Sequence, residues 1–262
     1  MEPSKKEHTQ KPDLKFVLKE TLLEYHREEK IGDEIWNAQQ LVIARLPSDS
    51  ETEIIGAVSA DTYLRDGVVD PEVLVAGALF ELLVRSDFKI CFEEAEEAKR
   101  LRTLLANPGV FRFTDEGRES LSNPDFLGIT QAGYITKVVE AKAGFLGNRE
   151  VRQLASFITN LKGAIEDAKK IPYPELKRNG LGFVKENGGI KIGHDLKVTL
   201  AVPRGRLVHG PKSLLKSDVF NGQGMQEALK VLRGTDIKES VFSGRELHEM
   251  TKAVLSTISV SF

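Results

Sequence analysis

From Leu14 onward, apolar residues at Val17, Leu18, Leu22 and Tyr25 return at helical spacing, and a second helical pattern covers residues 34–46. Residues 1–12 are polar with two prolines and read as a loose tail. A short strand-like run occupies residues 52–61. Asp70-Pro71 then opens a helix that reaches Ser86, with proline at a favoured first-turn position. Val73, Leu74, Val75, Ala76, Leu79, Phe80, Leu82, Leu83 and Val84 make that helix apolar on nearly every side, which predicts burial. Residues 92–106 interleave Glu with Lys and Arg and predict a solvated helix, ended by the turn residues Asn107-Pro108-Gly109.

Three strand-like segments follow at residues 110–114, 124–130 and 134–142. Helical periodicity returns over residues 149–169, with Val151, Leu154, Ile158, Leu161 and Ile165 as the apolar stripe. A hairpin around Asn187-Gly188-Gly189 and a short strand at residues 197–202 come next, and the remainder is mainly helical in pattern. From residue 71 to 202 the order is helix, three strands, helix and strand. Such an order predicts an α/β fold, a mixed sheet packed by helices.

Composition changes this picture little. The 262 residues carry 37 Lys and Arg against 39 Asp and Glu, with 40% hydrophobic residues, which suits a folded globular chain. One cysteine, Cys91, cannot form an internal disulfide. The N-terminus lacks the apolar stretch of a signal peptide, and the longest apolar run, residues 73–80, is far short of a membrane span. The expected location is cytoplasmic, with no membrane partner. A net charge of -2 excludes a chain coated in positive charge, so any polyanion must be met locally.

Residues 123–144, NPDFLGITQAGYITKVVEAKAG, carry the chemistry. On a strand, Val138, Glu140 and Lys142 share one face while Val139 and Ala141 take the other. If Ala132-Gly133 is a two-residue hairpin loop, facing residue numbers sum to 265 and Asp125 lies opposite Glu140; a longer loop shifts the register by a position or two. Two converging carboxylates repel unless a cation or a proton sits between them. Oxygen ligands on a sheet suit Mg²⁺ or Mn²⁺, and Lys142 would orient a water beside the ion. The plain alternative is salt bridging on a solvated face. The chain has nine Asp/Glu-x-Lys triplets, but only Glu140-Ala141-Lys142 ends an apolar strand preceded, one hairpin earlier, by Pro-Asp.

Pro124-Asp125 followed after fourteen residues by Glu140-Ala141-Lys142, within helix, three strands, helix and strand, resembles the PD-(D/E)xK nuclease superfamily. The resemblance covers about residues 71–202. It implies a restriction-endonuclease-like mixed sheet in α-β-β-β-α-β order with helical additions at both ends: an extension over residues 1–60, a nuclease-like core over 61–204 and a mainly helical extension over 205–262. It further implies a Mg²⁺-dependent deoxyribonuclease, an endonuclease, in which Asp125 and Glu140 bind metal and Lys142 assists the attacking water. Gly77-Ala78-Leu79-Phe80-Glu81 fits the Gly-x-x-x-Glu pattern by which the first core helix of that superfamily supplies an acid, so Glu81 is a third candidate ligand. Without the resemblance, Glu81 reads as an i,i+4 partner of Arg85 or a snorkelling surface residue. Gln153-Leu154-Ala155-Ser156-Phe157 is similar to the Gln-x-x-x-Tyr motif of RecB-like exonucleases, with Phe removing the hydroxyl, and makes Gln153 a supporting residue.

Positive charge gathers late in the chain: Lys185, Lys191, Lys197, Arg204 and Arg206, with Arg152 on the long helix, are candidate nucleic-acid contacts. The expected partner is DNA, with RNA open, and two-strand cutting would favour a homodimer. The competing expectation is a non-enzymatic nucleic-acid-binding or assembly subunit on the same fold. The five histidines show no metal-ligand spacing, and no P-loop, Gly-x-Ser-x-Gly or His-Glu-x-x-His string occurs.

Overall fold

Leu14, Leu18 and Leu22 recur every four residues, and all three are buried along one stripe of helix α1 (Leu14–Arg27). A computed structural model of the chain describes residues 13–28, 30–64, 70–92, 101–106, 110–114, 117–122, 124–130, 132–144, 191–205 and 235–258. The chain divides into two compact units, Met1–Ser86 with Arg245–Phe262, and Asp87–Gly244.

The first unit is helical in its described residues. It contains α1, α2 (Asp33–Ala44), α3 (Ser50–Leu64), α4 (Pro71–Ser86) and, from the far end of the chain, α6 (Gly244–Thr257). Helix α3 corrects the strand expected at residues 52–61. Ile54 and Val58 are buried while Gly56 and Ala57 are exposed, an i,i+4 stripe that only a helix can bury. Asp70 starts α4 by accepting the Glu72 N–H at 2.9 Å, and Pro71 follows as the sequence predicts. The apolar face of α4 is buried at Leu74, Val75, Leu79, Phe80, Leu82, Leu83 and Val84. Arg85 reaches α3 with a two-pronged bond to Glu53, both contacts at 2.6 Å. His248 of α6 meets Glu72 of α4 at 2.5 Å.

The second unit is built on strands. Among the described residues they are β1 (Leu101–Ala106), β2 (Val110–Thr114), β3 (Gly117–Ser122), β4 (Phe126–Thr130), β5 (Tyr134–Ala141), β6 (Lys191–Arg204) and β7 (Thr235–Ser243), with a short helix α5 (Phe88–Cys91) ahead of them. Five form one mixed sheet in the order β1-β4-β5-β6-β7, and β2 pairs with β3 as a separate ribbon. Pairing is antiparallel from β1 to β5 and parallel from β5 to β7. The molecule is thus α/β with a mixed sheet. β1 corrects the charged helix expected to reach residue 106, and β7 corrects the helical pattern expected there. The segment 110–114 is a strand, as expected, but belongs to the ribbon. The helix and hairpin expected at residues 149–169 and 181–190 lie outside the described residues. No helix among the described residues is long and apolar enough to cross a membrane.

Candidate metal and phosphodiester site

Phe126, Leu127 and Gly128 of β4 face Val139, Val138 and Lys137 of β5, pairs whose numbers each sum to 265. That is the register expected from the sequence, reached by a different route. The strands are joined by the three residues 131–133 rather than two, and Ile129 pairs with Ile135. Gly133, at φ 81°, supplies the left-handed residue that ends the loop, and its N–H donates to the Thr130 carbonyl at 3.0 Å. The Thr130 hydroxyl accepts the Tyr134 N–H at 3.1 Å. A bulge at Thr136 then restores the register before the acidic end of the strand. On the other side of β5, pairing jumps from Ile192 to Lys197, so β6 is irregular at the same level.

Asp125 stands immediately before β4, is buried, and accepts the backbone N–H of Ala141 at 2.6 Å through Oδ2. A carboxylate thus takes a rung of the ladder where β4 has not yet begun. One residue later, the Lys142 N–H donates to the Ala201 carbonyl of β6 at 2.9 Å. The segment 140–142 is therefore gripped from both neighbours, which fixes where its side chains start.

Glu140 and Lys142 share a strand face, as alternation predicts, and their long side chains close the gap between them. Lys142 Nζ lies 2.6 Å from Glu140 Oε1, with the two side chains 30% and 15% exposed. The second oxygen, Oε2, is buried and has no hydrogen-bond partner among the described residues. A buried acceptor left in that state costs roughly 1–3 kcal/mol, so it marks a place where a positive or hydrogen-bonding group would be gained. Hard oxygen donors suit Mg²⁺ or Mn²⁺, and Mg²⁺ commonly takes only one or two carboxylates, completing its shell with waters and substrate phosphate. Asp125 and Glu140 supply oxygen donors of that kind. Among the described residues no three His, Cys, Asp or Glu side chains gather around one point.

The remaining candidates are spread more widely. Glu81 is half-buried on α4, within the first unit. Lys197 and His194 are exposed on β6, Arg204 is half-buried near its end, and Lys191 begins it. Arg152, Gln153, Lys185 and Arg206 lie outside the described residues. One residue that sequence reasoning passed over is Lys137, fully buried in the middle of β5. Its signal was a lone cation inside the apolar run ITKVVEA. No family model, curated protein or solved structure matches this chain.

Proposed function

We propose that this chain is a divalent-metal-dependent nuclease of the PD-(D/E)xK kind that hydrolyses phosphodiester bonds within DNA. The observation that carries the proposal is the environment of Glu140, with one oxygen on the Lys142 ammonium and the other buried and unpartnered among the described residues, while a buried Asp125 is held on the N–H of the next residue, Ala141. The chain order of the elements supports it. Helix α4 precedes the sheet strands β1, β4 and β5, and β6 runs parallel to β5 after a crossover, an order compatible with the core that the resemblance implies.

In this reading Asp125 and Glu140 hold Mg²⁺ or Mn²⁺, and Glu81, which lies in the first unit, is left out of the site. The cation, when bound, supplies a water nucleophile at neutral pH and neutralises charge developing on the phosphate. Lys142, an ammonium paired with Glu140, serves to orient the attacking water and to donate to a non-bridging phosphate oxygen. Gln153 assists the lysine. The exposed Lys197, with the other basic residues of β6, offers positive charge for the DNA backbone, so binding should weaken as salt rises.

The second reading, a non-enzymatic nucleic-acid-binding or assembly subunit, is favoured by the Lys142–Glu140 ion pair itself, which would serve as structure alone. Supercoiled and linear DNA incubated with Mg²⁺ or Mn²⁺ separates the two. The wild type is expected to cut both, and Asp125→Ala, Glu140→Ala and Lys142→Ala to slow cleavage by about 10²–10⁴. Cleavage that persists unchanged in Asp125→Ala and Lys142→Ala would sink the assignment, and absence of cutting by the wild type would favour the second reading.

A further inference from the structure

We infer that Lys142, besides its part in the reaction, sets the affinity and selectivity of the cation site by occupying one oxygen of Glu140. The inference rests on the proposed metal site and deepens it. Lys142 Nζ lies 2.6 Å from Glu140 Oε1, a charge-assisted bond that engages that oxygen, while Oε2 is buried without a donor among the described residues. A cation can therefore be accepted at Oε2 without breaking the ion pair, but only through that one oxygen.

Two consequences follow from elementary electrostatics and coordination chemistry. First, the ammonium already neutralises Glu140 and stands as a like charge beside any cation that joins it, so it weakens cation binding. Second, Glu140 is restricted to one-oxygen ligation. Ca²⁺ takes six to eight oxygens and often uses both oxygens of a carboxylate, whereas Mg²⁺ is satisfied by single oxygens in octahedral geometry. The lysine therefore disfavours Ca²⁺ more than Mg²⁺. The backbone of Lys142 is fixed through its N–H to Ala201 O at 2.9 Å, so replacing the side chain removes the ammonium without releasing the strand.

The test measures cation binding, independent of cleavage, by calorimetry and by the electron paramagnetic resonance signal of free Mn²⁺, on the full chain at mildly alkaline pH. Lys142→Met and Lys142→Gln are expected to bind Mn²⁺ and Mg²⁺ about tenfold more tightly than wild type, and Ca²⁺ to gain by a larger factor. Lys142→Arg, which keeps the charge, should stay close to wild type. Unchanged or weaker binding in both neutral variants, with wild-type binding that Glu140→Gln abolishes, would overturn the inference and leave the metal site standing. Wild-type protein that binds none of the three cations would instead overturn the metal site, and the inference with it.

Discussion

Lys137 and Lys142 are five residues apart on one segment and meet opposite fates. Odd positions of β5 beyond the bulge, Lys137, Val139 and Ala141, are all buried, while Glu140 and Lys142 keep part of their surface open. Alternation assigns the two lysines to opposite faces from sequence alone. It does not say which face is closed, because that depends on elements packed from elsewhere. The candidate site was legible for the same reason: Asp125, Glu140 and Lys142 are local in sequence once a hairpin joins them. That Oε2 lacks a partner among the described residues was not legible, since it reflects side-chain rotamers. Lys137 should be a stability residue. Lys137→Ala is expected to cost about 2–5 kcal/mol through the lost stem and the vacated space, and Lys137→Met, which keeps the stem, distinctly less. Urea denaturation midpoints of the two variants check this.

At the scale of elements, the hairpin shows how a register can be right when its loop is misjudged. Three loop residues displace the pairing by one and the bulge at Thr136 displaces it back, so Asp125 precedes a strand whose first three pairs sum to 265. Gly133 is the residue on which this depends. At φ 81° and buried, it should lose about 1–2 kcal/mol on Gly133→Ala from the left-handed backbone alone. A lowered melting temperature together with reduced cation binding would show that the turn also sets the site. Where element type was misread, a local preference was overruled by packing. Residues 52–61 are rich in apolar and β-branched residues yet bury Ile54 and Val58 as a helix. Residues 101–106 follow a run of acids and have modest strand propensity, but β1 completes the edge of the sheet beside β4. Pairing partners distant in sequence decide such segments, and no window along the chain contains them.

At the scale of the whole molecule, the near-neutral charge conceals a difference between parts, and the mild acidity does not oppose a local anion site. A fragment comprising Asp87–Gly244 contains every described strand together with Asp125, Glu140 and Lys142, but lacks Glu81. It is expected to show a strand-rich circular dichroism spectrum and to bind Mn²⁺ in a manner that Glu140→Gln abolishes. Loss of folded structure in the fragment would show that the strands depend on the helical unit.

The helical unit is discontinuous in sequence, with α6 supplied by residues that follow β7 and tied to α4 by His248 and Glu72. During synthesis from the N-terminus, the strand unit is therefore released from the ribosome in one uninterrupted stretch, while the helices that emerged before it must wait for their last member. A helix translated after the strands closes helices translated before them. Nascent chains stalled before residue 244 should accordingly be protease-sensitive in α1 to α4, and protection should arrive only with the last turns of α6.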